Sequence, residues 1–275
     1  MYTPEPTYTA GLPPFDKYFY YKASVQSPAA DCEFLEQVYK DARGKSKTAR
    51  VMREDFCGTF ANCCQWVKGA PDRIAHGVDL DPEPLGYGRA KYLSKLDEKA
   101  KKRVHLHERN VMEHDLPASD VICALNFSYF IFKERRQLLE YFTACKETLK
   151  KDGVFVMDCF GGTQCWEPIE EETEFDDLGI SYYWDQVSFD PLTNNALFHI
   201  HFKRKGERKR RKVFTYDWRM WTVPELKDIL LDAGFSKVNL YWEGTTESGE
   251  GDGDYRLAET GEPCEAFVAY IAALK

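Results

Sequence analysis

Short apolar segments alternate with amphipathic helical segments between Val51 and Phe160, and this alternation restricts the fold more than any other feature. The predicted strands cover residues 49–55, 74–80, 103–111, 119–130 and 154–160, and the predicted helices cover residues 60–70, 84–96 and 133–153. We expect Gly153 to cap the last of these helices. Apolar strands joined by helices form mostly parallel sheets with helices on both faces. The sequence therefore predicts an α/β fold with a doubly wound, mostly parallel, Rossmann-like sheet.

A different pattern begins after Gly162. Three strand-like segments lie at residues 180–190, 194–205 and 211–221, separated by turn sequences. Closely spaced strands of this kind pair as antiparallel sheets. We predict an antiparallel β meander inserted at about 178–221, before the last helix at 223–235. The main domain is predicted to span residues 51–275, and residues 1–50 are predicted to form an N-terminal lid and a helix over 32–42.

The composition limits the class of protein. The 275 residues are 43% hydrophobic and 30% charged, which is typical of a globular chain. The net charge of −8 argues against a protein whose whole surface binds nucleic acid. Nine cysteines occur without a C-x-x-C pair, which favours buried reduced thiols over a disulfide framework. Because the sequence has neither a secretory leader nor an apolar run of ~20 residues, we expect a cytoplasmic protein without a membrane partner.

Polar residues lie where the first two predicted strands end. The first strand leads into the turn REDFCGTF, which contains Gly58, and the second ends at Asp79, 25 residues after Glu54. In an open parallel sheet the ligand lies beyond the carboxyl ends of the strands, where an acid at this spacing accepts hydrogen bonds from ribose hydroxyls. Asp79 is therefore predicted to bind a ribose. The alternative is that Asp79 caps the next helix, although Asp81, which precedes a proline, is the better cap.

The next three strand ends are also polar. The third predicted strand ends near Asn110, the fourth near Asn126 and the fifth near Asp158, each after an apolar interior. Since the carboxyl ends of parallel strands meet at one edge of a sheet, we expect these side chains to surround one ligand.

Residues 53–162 resemble the class I S-adenosylmethionine-dependent methyltransferases, and the segment WTVPELKDILLDAGFSKVNLYW resembles the late helix and strand of that family. The resemblance implies S-adenosyl-L-methionine as the cofactor. It also implies these cofactor-binding residues: Glu54, Phe56, Cys57, Gly58 and Thr59 around the methionine part, Asp79 at the ribose, Leu80 on the adenine, Asn110 and Val111 at the adenine edge, and Leu125 and Asn126 near the sulfonium.

The turn departs from the family pattern at two positions. That pattern is acid-x-Gly-x-Gly-x-Gly, and alignment of Gly58 with the middle glycine places Phe56 and Phe60 at the outer two. The pyrophosphate of a dinucleotide requires a helix start lined by glycines, so a dinucleotide oxidoreductase is disfavoured. We interpret the turn as a cradle for a ligand without phosphates.

Other residues are candidates for contacts with the cofactor or the acceptor. Arg53 is predicted either to pair with the cofactor carboxylate, which suits a guanidinium, or to lie on the surface. Tyr18, Tyr20 and Tyr21 are predicted either to form a lid or to pack in the core. The aromatic meander is expected to roof the acceptor. The candidate substrate-binding residues are Tyr21, Tyr129, Tyr216, Trp218 and Arg219, and the candidate catalytic residues are Asn126, Tyr129 and Asp158.

Histidines and charged runs in the second half have both functional and structural interpretations. His199 and His201 share one side of a predicted strand, but we predict no metal site because no third ligand is evident. The acidic run, residues 167–177, either attracts an amine or forms a solvated loop. The basic run, residues 203–212, either contacts nucleic acid or acts as a nuclear-localisation signal, or forms the charged tip of a hairpin. A Gly-rich loop is expected at residues 248–254.

The leading prediction is an enzyme that transfers a methyl group from the cofactor to a nitrogen or oxygen atom of a small or medium-sized acceptor. The first alternative is an amino methyltransferase acting on RNA or DNA, because NFSY (126–129) resembles the Asn-Pro-Pro-aromatic motif of such enzymes without its prolines. It predicts nucleic-acid affinity that falls steeply with salt. The second alternative is an inactive cofactor-binding partner subunit, which would bind the cofactor without turnover.

Overall fold

The computed structural model describes residues 14–246 and 251–275, and the chain divides into two compact units. The larger unit comprises residues 27–163 and 221–275, and the smaller comprises residues 164–220 with the N-terminal segment up to Gln26. The start of the expected lid, residues 1–13, lies outside the described residues, and the lid function stays a prediction.

An eight-stranded sheet forms the centre of the larger unit. Its strands are β1 (Val51–Asp55), β2 (Ile74–Asp79), β3 (Val104–Glu108), β4 (Ser119–Ala124), β5 (Leu149–Gly161), β10 (Lys237–Thr245), β11 (Gly251–Leu257) and β12 (Phe267–Leu274). Their order is β11-β10-β12-β5-β4-β1-β2-β3. The first five run parallel to one another, whereas β10, β11 and β12 pair antiparallel. The predicted mostly parallel sheet is confirmed.

The strand order reverses at β1. This strand lies between β4 and β2, because the chain first extends the sheet to one side of β1 and then to the other. In the ladder, Asp55 lies beside Val78 and Ala124 lies beside Met157. The carboxyl ends of four strands therefore meet at one edge, which is the place where open α/β sheets bind ligands.

Helices cover both faces of this sheet. They are α2 (Pro28–Arg43), α3 (Ala61–Trp66), α4 (Pro82–Lys91), α5 (Glu98–Lys101), α6 (Arg135–Thr148) and α7 (Val223–Asp232). The helix α2 starts at a proline in its first turn and buries Leu35 and Val38. The helix α7 starts with a capping box, in which the side chains of Thr222 and Glu225 each bond the other residue's backbone N–H.

The glycine cap predicted at Gly153 was wrong. The helix α6 ends at Thr148, and Leu149 already pairs with Ser119 in the parallel ladder of β4 and β5. The Thr148 hydroxyl also accepts a 2.8 Å hydrogen bond from Arg53. Strand pairing thus ends the helix before the lysine-rich segment, and Gly153 lies inside β5.

The smaller unit contains a four-stranded antiparallel sheet and one helix. Its elements are α1 (Lys17–Val25), β6 (Ile169–Phe175), β7 (Ile180–Asp190), β8 (Asn195–Arg204) and β9 (Arg210–Arg219), with strand order β6-β7-β8-β9. The predicted antiparallel meander is confirmed, with one strand more than predicted. The extra strand, β6, lies in the acidic run, and its glutamates are exposed along an edge. Charges on an edge strand discourage pairing with another chain.

Aromatic side chains of the N-terminal segment pack against the antiparallel sheet. The Tyr20 ring is buried and lies 5.1 Å from the Phe15 ring and 6.0 Å from the Phe202 ring, between centroids. The Tyr21 ring lies 4.9 Å from the Phe214 ring. Packing within this unit therefore accounts for the position of these aromatics.

Part of the basic run is neutralised within the smaller unit. Arg204 is buried and forms an ion pair with Glu207. The Lys209 ammonium lies 2.6 Å from a Glu170 carboxylate oxygen and 3.5 Å from the Tyr183 ring centroid, and its side chain is 17% exposed. The run is therefore not the uniformly exposed hairpin tip that the sequence indicated.

The nine cysteines all carry free thiols, and eight are buried, as the sequence predicted. Within residues 14–246 and 251–275, no helix has the length and apolar character needed to cross a bilayer. The loop expected at residues 248–254 lies partly outside the described residues, and the remainder belongs to β11.

A buried ion pair links β1 to α6. The Arg53 side chain is 0% exposed, and its guanidinium donates to both carboxylate oxygens of Asp55, at 2.8 and 3.1 Å. The Tyr141 hydroxyl donates to the same carboxylate at 3.0 Å. Since buried charges are expensive unless they are paired, each partner requires the other.

Replacement of Arg53 by methionine should lower the free energy of unfolding by about 3–5 kcal/mol, because it leaves the Asp55 carboxylate buried without a cation. Urea denaturation followed by circular dichroism measures the loss. Arg50→Met is the matched control: Arg50 forms an exposed pair with Asp72 at 3.2 Å, and exposed pairs contribute ~0–1 kcal/mol. Equal losses in the two variants would contradict the assigned role of the buried pair.

Candidate functional site

The turn after β1 has a repeated left-handed backbone. Phe56, Gly58 and Phe60 have φ values of 56°, 49° and 47°. These are the positions that align with the three glycines of the family pattern, so the backbone conformation is present although two of the glycines are phenylalanine. Backbone strain at a non-glycine residue in this conformation lowers the stability of the fold by of order 1–3 kcal/mol, so the conformation persists only where surrounding contacts hold it.

Contacts around the turn hold this conformation. The Cys57 N–H donates to the Val78 carbonyl of β2 at 3.0 Å, and the Phe60 ring is fully buried. A side chain at Gly88 of α4 would overlap the Phe60 ring. The glycine in α4 therefore allows this helix to approach the turn closely.

Asp79 lies beside the turn, at the end of β2. One of its carboxylate oxygens accepts from the Gly58 N–H at 2.7 Å, and the other accepts from the Asp81 N–H at 2.8 Å. The helix cap belongs to Asp81, whose side chain accepts from the Glu83 N–H at 2.9 Å. Each Asp79 oxygen has a second lone pair for another donor. The next side chain, Leu80, is apolar and 64% exposed.

The face of β1 opposite to Arg53 and Asp55 carries a buried carboxyl, that of Glu54. Glu54 accepts from the Asn62 side-chain amide at 3.0 Å and from the Cys63 thiol at 3.2 Å. Burial raises the pKa of Glu54 to about 8. Asp31 in the first turn of α2 also faces this group, and burial raises its pKa to about 6.

Sequence reasoning missed Asp31 and Asn62. The predicted first helix began at Cys32, so Asp31 fell outside it. The pair Ser27-Pro28 was the available signal, because proline is common at the first position of a helix.

The residues predicted at the adenine edge form a tight turn after β3. The Asn110 side-chain oxygen accepts from the Met112 N–H at 3.0 Å, and the Asn110 N–H donates to Glu113 at 2.9 Å. Arg109 holds the Glu113 carboxylate at 2.7 Å. Val111 is buried below the turn, whereas Asn110 is exposed at the strand end.

The three predicted catalytic residues lie together after β4 and on β5. Both oxygens of the Asp158 carboxylate accept backbone N–H bonds, from Asn126 at 2.7 Å and from Phe127 at 2.9 Å. Asn126 and Phe127 have φ values of 56° and 57°. The Tyr129 hydroxyl donates to the Asp158 carbonyl at 2.6 Å from a fully buried ring. Leu125, just before this loop, is buried.

Asp158 is nearly buried, and burial raises its pKa to about 7 despite the two backbone donors. The Asp158 carboxylate therefore holds the loop of residues 125–130, and its protonation weakens these two hydrogen bonds. The fourth predicted strand, residues 119–130, was too long. The strand β4 ends at Ala124, where this loop begins, and residues Ser128–Ile131 form a 3₁₀ turn.

The other candidates fall in two places. The alternative position of Arg53 on the surface was wrong, because its side chain is 0% exposed and forms an ion pair with Asp55 inside the larger unit. The predicted contact of Arg53 with a cofactor carboxylate stays a prediction. Tyr21, Tyr216, Trp218 and Arg219 belong to the smaller unit, where the Tyr216 and Trp218 rings stack with centroids 4.4 Å apart. Contact between these four residues and an acceptor also stays a prediction.

Glu170, Asp185 and His201 bring possible metal-binding atoms within 4.8 Å of one another. The donor set does not suit a metal ion. The His201 Nδ1 atom accepts from the Lys212 backbone N–H at 2.8 Å, which places the ring proton on Nε2, 3.0 Å from Asp185. A protonated Nε2 has no lone pair for a metal.

No protein-family model matches the chain, and no curated protein matches its sequence. Solved structures with the same fold include an S-adenosylmethionine-dependent methyltransferase from Clostridium acetobutylicum, with TM-score 0.64 and 18% identity over 94% of this chain and 96% of that one. A sugar N-methyltransferase from Streptoalloteichus has TM-score 0.62 and 17% identity over 100% and 98%. An amino pentose methyltransferase from Micromonospora echinaspora, solved with S-adenosylmethionine bound, has TM-score 0.65 and 15% identity over 95% and 98%. The chain therefore has the class I methyltransferase fold that its resemblance predicted.

Gly58→Val should abolish binding of S-adenosylhomocysteine. The added side chain meets no atom within 4 Å, so it would project into the open space above the turn at a φ that favours glycine. Isothermal calorimetry measures the affinity, and thermal denaturation measures the strain, expected at about 1–3 kcal/mol.

Gly179→Val is the matched control, since Gly179 in the smaller unit also has a positive φ, 61°, and open space around it. This variant should lose similar stability and keep its affinity. Retained binding in Gly58→Val would place the ligand elsewhere.

Proposed function

We propose that this protein is an S-adenosylmethionine-dependent methyltransferase that acts on a nitrogen or oxygen atom of a small or medium-sized acceptor, with nitrogen favoured. The observation that carries the proposal is the junction of Gly58 and Asp79. There a left-handed turn with open space above it lies beside a carboxylate that has lone pairs for two ribose hydroxyls.

The surrounding residues fit the nucleoside part of the cofactor. Asp79 would accept from the ribose hydroxyls, and the exposed Leu80 side chain would pack on the adenine face. Asn110 and Val111 would lie at the adenine edge, because their turn ends the neighbouring strand β3. An apolar surface next to a few directed polar groups is typical of ligand sites.

The other end of the turn fits the methionine part. Phe56, Cys57 and Thr59 would surround it through their backbone, and the buried Glu54 carboxyl would lie beneath. The buried side-chain oxygen of Asn62 has no hydrogen-bond partner among residues 14–246 and 251–275, so this region can accept a further donor. Leu125 and Asn126 would lie towards the sulfonium, in the loop that follows the adjacent strand β4.

When bound, the cofactor supplies an electrophilic methyl group on a positively charged sulfur. The protein's main task is then to hold the acceptor atom in line, which can contribute ~7–11 kcal/mol, whereas a general base adds ~10²–10⁴-fold, or about 3–5 kcal/mol. The loop of Asn126 and Tyr129, held by Asp158, is the proposed positioning element on this side. Asp158, with its pKa of about 7, is also the proposed acceptor for a proton from an amine.

The names of the solved neighbours and the chemistry of amines both favour a nitrogen atom of a small molecule as the methyl acceptor. Among the solved neighbours, one is named for N-methylation of a sugar and another for methylation of an amino pentose. An amine, once it has lost its proton, is a stronger nucleophile than an alcohol and needs less help from a base. Nucleic acid is a weaker candidate, because Arg204 and Lys209 of the basic run already have acidic partners. Cytoplasmic localisation stays a prediction.

Asp79→Ala should weaken binding of S-adenosylhomocysteine by ~1.5–3 kcal/mol, the range for hydrogen bonds to a charged group. Calorimetry measures the change. Asp81→Ala is the matched control, because it removes the cap of α4 and should cost ~0.5–2 kcal/mol of stability without weakening binding. Equal affinity of the two variants for S-adenosylhomocysteine would contradict the assignment of the ribose to Asp79.

A further inference from the structure

Three of the six histidines of the chain lie side by side on β2 and β3. We call His76, His105 and His107 the histidine cluster. His76 lies beside His105 in the parallel ladder, and His107 lies two residues further along β3, so the three side chains point to one face of the sheet. The strand β3 is the last strand on this side of the sheet, so the histidine cluster lies at its edge.

The face that carries the histidine cluster is only partly covered. His76 lies beside Arg53 in the ladder of β1 and β2, and Arg53 bonds Thr148 of α6, so this is the face on which α6 lies. The connection from β3 to β4, residues 109–118, is described throughout and contains no helix. His105 is accordingly exposed, and His76 and His107 are half-buried. The cluster is therefore accessible to a small ion from solvent.

Two nitrogen atoms of the histidine cluster are close enough to bind one ion. The His76 Nδ1 atom lies 3.1 Å from the His107 Nε2 atom. Two imidazoles on one tetrahedral zinc ion, with Zn–N bonds of about 2.0–2.1 Å, have their nitrogens about 3.3–3.4 Å apart. The His105 ring stacks on the His76 ring with centroids 5.0 Å apart, and exposed side chains change rotamer readily. Rotation of the His105 ring can therefore bring a third nitrogen to the same ion.

The histidine cluster is better suited to a metal ion than to an ion pair with an acid. The hydrogen bond between His76 and His107 requires that one of the two nitrogens carries no proton, and such a nitrogen has a lone pair for a metal. Burial, followed by the neighbouring imidazoles, also lowers the pKa of His76 to about 4. Each nearby cation already has a carboxylate partner, in the pairs Arg53–Asp55, Arg109–Glu113 and Lys150–Asp120.

We infer that the histidine cluster binds one divalent transition-metal ion through His76 Nδ1 and His107 Nε2, with His105 as the third ligand. Imidazole suits zinc, copper and nickel, whereas magnesium and calcium prefer oxygen ligands. When the ion binds, the proton of the hydrogen bond between His76 and His107 moves to the other nitrogen of its own ring, so both imidazoles stay neutral. The inference is independent of the proposed function, because the histidine cluster shares no residue with the proposed cofactor site.

An ion at the histidine cluster would link the edge strand β3 to β2 through side chains, in addition to the backbone ladder. The same two strands lead to Asp79, which ends β2, and to Asn110, which follows β3. The expected role of the ion is therefore to stabilise this edge of the sheet.

Zinc binding to the full chain without a polyhistidine tag tests the inference. After treatment with EDTA and its removal, isothermal calorimetry with zinc chloride should show about one bound ion per chain, and magnesium chloride should show no binding. His76→Gln and His107→Gln should each weaken zinc binding about 100-fold or more, because even the loss of a residue that only supports a ligand weakens binding ~10–100-fold.

Two further variants complete the titration series. His114→Gln is the matched control, because His114 is an exposed histidine outside the cluster that contacts Glu147, and this variant should keep the wild-type affinity for zinc. His105→Gln changes an exposed side chain, so it should leave the fold intact and weaken zinc binding at least about tenfold. Unchanged affinity in His105→Gln would overturn the assignment of the third ligand. Circular dichroism without metal checks that each variant is folded.

Copper(II) identifies the ligand atoms in the unmodified protein. Electron paramagnetic resonance of the wild type with one equivalent of copper should show hyperfine coupling to nitrogen, which carboxylate and thiolate ligands do not give. The double variant His76→Gln/His107→Gln should lose this coupling. Absence of zinc binding by the wild type, full zinc binding by the double variant, or copper without nitrogen coupling in the wild type would each overturn the inference.

Discussion

The hydrogen bond from the Gly58 N–H to the Asp79 carboxylate joins the turn after β1 to the end of β2. It fixes the two segments that flank the switch point of the sheet, and the left-handed backbone at Phe56 and Phe60 brackets it. Burial of the Phe60 ring and the close approach of α4 hold this strained turn. The site is therefore organised by the backbone, so its shape survives a sequence with few glycines.

The two faces of β1 differ in how their charged and polar side chains are paired. On one face, Arg53 and Asp55 neutralise each other, and the pair joins the strand to α6. On the other face, Glu54 and Asp31 have raised pKa values, and the Asn62 amide oxygen beside them has no hydrogen-bond partner in the part of the chain that the structure describes. A fully satisfied pair suits a structural role, whereas unsatisfied acceptors suit a site that a ligand completes.

Local sequence signals predicted the parts of the structure that depend on neighbouring residues. The alternation of strands and helices, the turn at Gly58 and the acid at Asp79 follow from short patterns. Two other differences from the prediction arise from strand pairing. Leu149, predicted to be helical, pairs with β4 as part of β5, and part of the acidic run forms β6 because it pairs with β7. Thr148, which bonds Arg53, and Glu170, which pairs with Lys209, come from distant segments. The left-handed φ of Phe56 and Phe60 contradicts the local preference of these residues.

A thermal-shift comparison of S-adenosylmethionine, S-adenosylhomocysteine, NAD and ATP shows which class of nucleotide-like ligand the cradle binds. A ligand at a hundred times its Kd adds ~2.7 kcal/mol of stability, which raises the Tm of a chain this size by several degrees. We expect a rise in Tm with the first two compounds and none with NAD or ATP, because the turn has no glycine-lined site for a pyrophosphate. Indifference of the Tm to both S-adenosyl compounds would contradict the proposed cofactor.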